Sequence, residues 1–261
     1  MSGTLTRGLP LAWHQDRYLC AIGERWAHAE VRGDERGVLL VLRHDDGSAS
    51  LAGRGDPAAV GALLGGLPHD ASSWPGGARW LSVPRGTPVE EALLGVLGLT
   101  PFSTWDWMST TSAPPVQPGE ALVRPLDRAR EADAVRACLR EANPGTTADP
   151  TGPDEAGWWG VERDGVLVGV IGARREPGTS PGARSWHLHG LGVLPTARRT
   201  GAGAALTAVA TRAALAAGAE LVSLGMYADN DVARRIYQRL GFRTDVENVS
   251  YGPVGADRPP A

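Results

Sequence analysis

In the second half of the chain, hydrophobic positions alternate between short β-prone runs and longer helical patterns. Asp127 is a residue type that caps helix N-termini, and a helix is predicted to begin directly after it. Asp164-Gly165 lies between two β-prone runs, which predicts a hairpin. Helices are also predicted at about 202–217 and 230–240, and strands at 121–125, 186–194, 220–226 and 244–251. This order predicts an α/β fold with a mixed central β-sheet flanked by helices.

The first half repeats a shorter version of this order. Strands are predicted at 38–44, 48–53, 78–84 and 102–110, and helices at 57–67 and 88–98. Leu97-Gly98-Leu99 corresponds to Leu240-Gly241-Phe242. We interpret the two halves as a tandem duplication. The alternative is an unrelated α/β segment, because α/β units share element order by chance.

A stretch rich in Pro, Ser, Thr and Gly at 109–120 marks the boundary between the halves, since it offers little apolar surface to bury. The predicted organisation is a first domain at 1–112, a linker at 113–120, a second domain at 121–252 and a flexible tail at 253–261.

Composition excludes several classes of function. The 26 basic residues stand against 29 acidic ones, and every basic residue is arginine. The absence of lysine excludes Schiff-base and P-loop chemistry.

A formal net charge of −3 argues against a nucleic-acid partner. Cys20 and Cys138 have no metal-ligand spacing, so no metal site is expected. No apolar run approaches the ~20 residues of a membrane span, and the first residues have no apolar stretch of signal-peptide length, so neither feature is expected. We therefore expect a cytoplasmic protein without a membrane partner.

The first chemical motif is Arg198-x-x-Gly201-x-Gly203, between a predicted strand and a predicted helix. Unpaired amides at a helix N-terminus and glycines that allow close approach form a cradle for a pyrophosphate. A Rossmann dinucleotide site is not predicted because G-x-G-x-x-G is absent. The second motif follows 27 residues later as Asn230-x-x-Ala233-x-x-x-Tyr237-x-x-x-Gly241-Phe242. It begins with an N-cap residue type and ends with a C-cap glycine.

Together and in this order, the two motifs resemble the signature segments of the GNAT acyltransferase superfamily, over about residues 120–252. The resemblance implies a GNAT-like fold, acetyl-CoA as cofactor and transfer of an acetyl group to an amine. It also implies that Gly190 and Gly192 let the strand bulge away from its neighbour. Tyr237 would protonate the thiolate that leaves. The residues implied to bind coenzyme A are Leu191, Gly192, Val193, Arg198, Arg199, Thr200, Gly201, Ala202, Gly203, Ala204, Asn230 and Tyr237.

The general base is expected on the strand before the cradle. His187 and His189 alternate there, so both should face the same side of the sheet. His187 occupies the place where several GNAT members have a catalytic glutamate, which makes it the first choice, while His189 is the second. The strand carries no Asp or Glu, and this is a departure from the family pattern.

Each of these residues also has an alternative, purely structural interpretation. Tyr237 could be a core tyrosine, Asn230 a simple helix cap, the two histidines structural, and Arg198 and Arg199 solvated surface charges. For the acceptor, carboxylates and aromatics after the first helix suit a cationic amine. The candidates are Asp154, Glu155, Trp158, Trp159 and Glu247, although most tryptophans are expected in the core.

The first half lacks both motifs, and Leu94 stands at the position of Tyr237. We therefore expect a degenerate GNAT-like copy without a cofactor site, which buries a sheet edge, shapes the acceptor site or supports a homodimer. The leading hypothesis is an acetyl-CoA-dependent N-acetyltransferase that acts by direct attack in a ternary complex. The alternative is a non-catalytic coenzyme A sensor. The acceptor stays open between small amines, aminoglycoside-like polyamines, peptide N-termini and lysine side chains.

Overall fold

A computed structural model of the protein describes residues 8–180 and 182–256. Contacts between residues separate it into two compact units. The first unit takes the described parts of Met1–Trp107, Tyr227–Asp229 and Asp245–Ala261. The second takes those of Met108–Met226 and Asn230–Thr244.

The first unit contains both antiparallel and parallel pairs of strands. Its helices are α1 (Arg17–Ile22), α2 (Pro57–Gly65) and α3 (Glu91–Leu97), and its strands are β1 (Glu30–Gly33), β2 (Gly37–Arg43), β3 (Ala49–Gly55), β4 (Ala78–Pro84) and most of β5 (Leu99–Thr110). β1, β2 and β3 pair antiparallel, and β4 pairs parallel to β3. The end of the chain's last strand, β11 (Arg243–Pro253), pairs antiparallel with β4.

The second unit repeats this order. Its strands are β6 (Val123–Pro125), β7 (Glu155–Arg163), β8 (Val166–Pro177), β9 (Arg184–Val193) and most of β10 (Val222–Tyr227), and its helices are α4 (Arg128–Ala142), α5 (Ala202–Ala216) and α6 (Asp231–Arg239). β6 to β9 pair antiparallel in sequence, and β10 pairs parallel to β9. Asp164 (φ 52°) and Gly165 (φ 77°) form the tight turn between β7 and β8, which confirms the predicted hairpin.

Helices cover both faces of the second unit's sheet. A Cβ added at Gly192 on β9 would meet Ala142 and Leu139 of α4, whereas one added at Gly169 on β8 would meet Leu206 of α5. α4 and α5 therefore pack on opposite faces. The core between them contains large apolar side chains from both helices and from the strands.

The mixed α/β sheet flanked by helices confirms the predicted fold class. α1 and β1 were not predicted, since each is short and neither has a clear hydrophobic period.

The shared order of elements is what a duplication would produce, but the duplication and the domain boundaries stay predictions. Contacts group the described residues after Thr244 with the first unit. Most of the tail expected at 253–261 lies outside the described residues. No helix in the described part of the chain is long and apolar enough to cross a membrane.

Candidate active site

The centre of the candidate site is an opening between β9 and β10. β9 pairs with β8 as far as Val193, but its pairing with β10 ends at Leu188, opposite Leu224. The β8–β9 register shifts between Val170 and Gly172, and Gly190 opposite this shift has φ +59°. β9 therefore bulges where it loses its neighbour.

The bulge leaves backbone groups of β9 on an open edge. Leu194 N–H donates to Val168 O on β8 at 2.9 Å. Because alternate residues of a strand direct their backbone groups to opposite sides, Leu191 and Val193 direct theirs away from β8. This edge can hydrogen-bond an extended chain as an added strand would.

The edge leads into the N-terminus of α5. Gly201 is the N-cap residue, has φ +89° and provides no side chain to cap the helix. Within the described structure, the amides of 199–204 donate no hydrogen bond, and the first capping bond is from Ala205 N to Gly201 O at 3.0 Å. These amides, from Arg199, Thr200, Gly201, Ala202, Gly203 and Ala204, and the positive end of the α5 dipole fit the pyrophosphate of coenzyme A.

The two arginines of the cradle motif differ. Arg198 donates from Nε to Val193 O at 3.1 Å and from Nη2 to Ala142 O at 3.3 Å. Arg199 has φ +63°, is exposed and forms no ion pair with a described residue. The neighbouring Thr200 hydroxyl donates to Ala197 O at 2.8 Å. Arg198 is therefore held by the protein, while the Arg199 guanidinium faces solvent.

His187 and His189 lie on the α4 face of β9, as Gly192 does, and both precede the bulge in sequence. His187 is half-buried, and its Nδ1 lies 2.9 Å from the hydroxyl of Ser223, the residue opposite it on β10. Ser223 is fully buried. This contact orients the imidazole ring, and Ser223 was not among the predicted site residues.

His189 belongs to a separate buried cluster. Its Nε2 lies 3.0 Å from Glu155 Oε1, a close polar contact without the geometry of a hydrogen bond. Glu155 Oε2 accepts a hydrogen bond from Trp158 Nε1 at 2.5 Å. The Trp158 and His189 rings meet edge to face at 5.4 Å. Both oxygens of Glu155 are therefore engaged within the protein.

The sequence analysis also did not predict an ion pair on β8, on the same face of the sheet as the histidines. Arg174 lies opposite His187 in the β8–β9 register, and its Nε donates to Glu176 Oε1 at 2.9 Å. Glu176 is buried. Once the hairpin register is known, period-two alternation puts both residues on the histidine face, so this register is the signal that could have found them.

Tyr237 and Asn230 come from the second motif. Tyr237 is only 8% exposed, its ring packs at 6.1 Å from Phe242, and burial raises its pKa to about 12. The phenol is therefore protonated at neutral pH. The exposed Asn230 caps α6 by accepting a hydrogen bond from Ala233 N at 3.0 Å.

The predicted acceptor residues do not form one group. Trp158 and Trp159 lie in the second unit's core, while Asp154 is exposed. Glu155 is buried with His189. Glu247 lies in the first unit, where its carboxylate pairs with Arg85 at 3.1 Å.

A bulged, open strand that leads into an amide-lined helix N-terminus defines a site for an extended ligand that carries a phosphate group. A model of the acetyltransferase (GNAT) family matches residues 125–242. The chain is 31% identical over 241 residues to a mycothiol acetyltransferase of Actinosynnema mirum, covering 87% of this chain and 78% of that protein. A mycothiol acetyltransferase of Cellulomonas flavigena is 28% identical, with coverage of 96% and 80%. The chain belongs to the acetyltransferase (GNAT) family.

A solved structure, a GCN5-related N-acetyltransferase from Kribbella flavida, is similar over 94% of this chain and 96% of its own. The TM-score is 0.61 at 25% identity. The protein is thus an acetyltransferase, and its cofactor is acetyl-CoA. The expected family is confirmed, whereas the roles of individual site residues stay predictions.

Proposed function

We propose that the protein transfers the acetyl group of acetyl-CoA to the amine of a small molecule by direct attack in a ternary complex. The observation that carries the proposal is the open edge of Leu191 and Val193, which continues into the free amides of 199–204. Such an edge suits the amide-rich pantetheine arm, and the α5 N-terminus suits its pyrophosphate.

Bound acetyl-CoA supplies an activated thioester for the reaction. In our proposal the Leu191 N–H stabilises the oxyanion that develops when the amine attacks. His187 accepts the proton that the amine loses, with Ser223 orienting its ring. Tyr237 donates its proton to the sulfur as the carbon–sulfur bond breaks.

A covalent enzyme intermediate is not part of this proposal. Cys138 lies on α4, is 4% exposed, and burial raises its pKa to about 11. Its sulfur is therefore a protonated thiol at neutral pH and a poor nucleophile. This supports direct transfer.

The relatives named mycothiol acetyltransferase support a mycothiol-related small amine as the acceptor. Aminoglycoside-like polyamines and peptide N-termini are the competing acceptors that a substrate panel would separate.

We propose one coenzyme A site per chain, in the second unit. In the first unit α2 stands where α5 stands in the second. Asp56 caps α2 by accepting a hydrogen bond from Ala59 N at 2.9 Å. A carboxylate at this helix N-terminus repels phosphate. The observation supports a first unit that is a degenerate copy without a cofactor site.

The test is acetyl transfer from acetyl-CoA to a panel of mycothiol-related amines, polyamines and peptides, with products identified by mass spectrometry. Tyr237→Phe should lower kcat by about 10²- to 10⁴-fold, the usual contribution of an acid–base group, while coenzyme A affinity stays within about threefold. Tyr227→Phe, which changes an exposed tyrosine, is the matched control and should keep wild-type turnover.

Two outcomes would contradict the proposal. Unchanged turnover of Tyr237→Phe would remove the acid role from this residue. A thermal shift with coenzyme A but no product from any amine would favour the non-catalytic sensor instead.

A further inference from the structure

Two side chains donate hydrogen bonds to the open edge of β9. Asn143 Nδ2 donates to Leu191 O at 3.2 Å, and Arg198 Nε donates to Val193 O at 3.1 Å. These carbonyls belong to the two residues whose backbone groups point away from β8. The edge that lacks a partner strand is therefore held by side chains.

The donors are tied to each other through the end of α4. Asn143 is the C-cap residue of α4, and Arg198 Nη2 donates to the carbonyl of Ala142, one residue earlier, at 3.3 Å. Arg198 therefore joins three segments: the end of α4, the end of β9 and the start of the cradle. A carbonyl in the last turn of a helix has no intrahelical partner, and a guanidinium satisfies it well.

The approach of the end of α4 and of the loop after it to this strand requires glycine at two positions. A Cβ at Gly192 would lie 3.0 Å from Ala142 Cβ, and one at Gly190 would lie 2.8 Å from Ala148 Cβ. These distances are at or below the closest that Cβ contacts normally reach. The short Asn143 side chain reaches Leu191 because both glycines let residues 142–148 sit directly on β9.

We propose that Asn143 and Arg198 are positioning residues that keep the open edge of β9 in the extended conformation that receives the pantetheine arm. Interior strands are held by ladder bonds on both sides, but residues 191–193 have a ladder on one side only. The two side-chain bonds replace the missing ladder. They leave the Leu191 and Val193 N–H groups as donors, and each carbonyl keeps a second lone pair.

The inference separates the roles of the two cradle arginines. Arg198 has its guanidinium engaged by two carbonyls, so it acts on the backbone and not on a phosphate. Arg199 is exposed beside the free amides and is the arginine available to an anion. The inference rests on the proposed cofactor site, but not on the identity of the acceptor.

The test compares two ligands by calorimetry. Coenzyme A carries both the pantetheine arm and the pyrophosphate, whereas 3′-phospho-ADP carries the pyrophosphate without the arm. Asn143→Leu and Arg198→Gln should weaken coenzyme A binding by about five- to tenfold, the effect of one lost hydrogen bond. Both should leave 3′-phospho-ADP affinity within about twofold.

Two matched variants serve as controls. Arg199→Gln should weaken both ligands to the same extent, since it acts on the phosphates. Arg140→Gln, which changes an exposed side chain on the last turn of α4, should change neither affinity. Asn143→Asp removes the donor but keeps the size and polarity of the side chain, so it serves if Asn143→Leu folds poorly.

The result that overturns the inference is an Arg198→Gln variant that loses affinity for both ligands equally, because Arg198 would then be a phosphate ligand. Wild-type affinity for coenzyme A in both Asn143 variants would remove Asn143 from the role. Binding without acetyl transfer to any amine would instead contradict the proposed function, and the ligand comparison would still decide the roles of Asn143 and Arg198.

Discussion

At the scale of single residues, two histidines two positions apart on β9 have different neighbours. His187 meets a neutral hydroxyl, Ser223 Oγ, at 2.9 Å, and its side chain is half-buried. His189 meets a carboxylate, Glu155 Oε1, at 3.0 Å, and the Trp158 ring packs against its side. The first arrangement suits a base that exchanges a proton with a substrate, and the second suits a side chain that holds the strand in place.

This difference predicts opposite results for the two substitutions. His187→Gln should lower kcat by about 10²-fold or more, because the amine must then lose its proton without a base. Activity of this variant should recover as pH rises, since more of the amine is neutral in solution. The measurement is the rate of acetyl transfer across pH with one amine.

His189→Gln is the matched control on the same strand. It should lower thermal stability, because the buried Glu155 carboxylate would lose the imidazole that packs against it at 3.0 Å, but it should keep the pH profile of the wild type. If His189→Gln gained the pH-dependent recovery instead, His189 would be the base.

At the scale of elements, the bulge of β9 depends on Gly190. Its φ of +59° is a conformation that residues with a Cβ rarely adopt, and an added Cβ would lie 2.8 Å from both Ala148 and the Trp158 ring. The bulge directs the backbone groups of Leu191 and Val193 to the open edge. Both the fold and the candidate site therefore require glycine at position 190.

Gly190→Ala should destabilise the protein by about 2–3 kcal/mol, from backbone strain and overpacking. It should also weaken coenzyme A binding. Gly225→Ala on β10 is the control, because a Cβ there meets nothing within 4 Å. Thermal melting of the two variants checks this, and equal melting temperatures would contradict it.

Sequence could predict the elements of the second unit because each has a local signal. Asp127 caps α4, Asp164-Gly165 turns the hairpin, and the glycines of 201–203 open α5. The contact between Asn143 and Leu191 joins residues 48 positions apart and has no local signal. Ser223, Arg174 and Glu176 were missed for the same reason, since strand register decides which side chains meet.

At the scale of the whole molecule, the absence of lysine has consequences beyond the exclusion of mechanisms. All 26 basic residues are arginine, so the chain has no side-chain amine that an acetyltransferase could modify. Prolonged incubation with acetyl-CoA should therefore add at most one acetyl group, at the N-terminal amine. Intact mass spectrometry checks this count, and a second stable acetyl group would contradict it.

Because the chain has no lysine, the titration of its buried cysteine and tyrosine side chains above pH 9 can be followed without interference from lysine. Arginine stays charged to about pH 12, so no lysine signal covers the buried acids between pH 9 and 12. Burial raises the pKa of Cys138 to about 11 and that of Tyr237 to about 12, and it also raises the pKa of Tyr251. For a group with a raised pKa in the folded state, stability is fully present below the unfolded pKa and is lost as pH rises through the folded one.

The free energy of unfolding should therefore fall between about pH 9 and 12. Cys138 and Tyr237 should each account for on the order of 2 kcal/mol, because each pKa rises by about two units at a site less than a tenth exposed. Cys138→Ala should flatten the curve between pH 9 and 11, and Tyr237→Phe between pH 10 and 12, even if either variant is less stable at neutral pH. Urea unfolding at stepped pH measures both slopes. The exposed Tyr227, changed to Phe, should leave the curve unchanged, and a flattening there would mean that burial is not the cause.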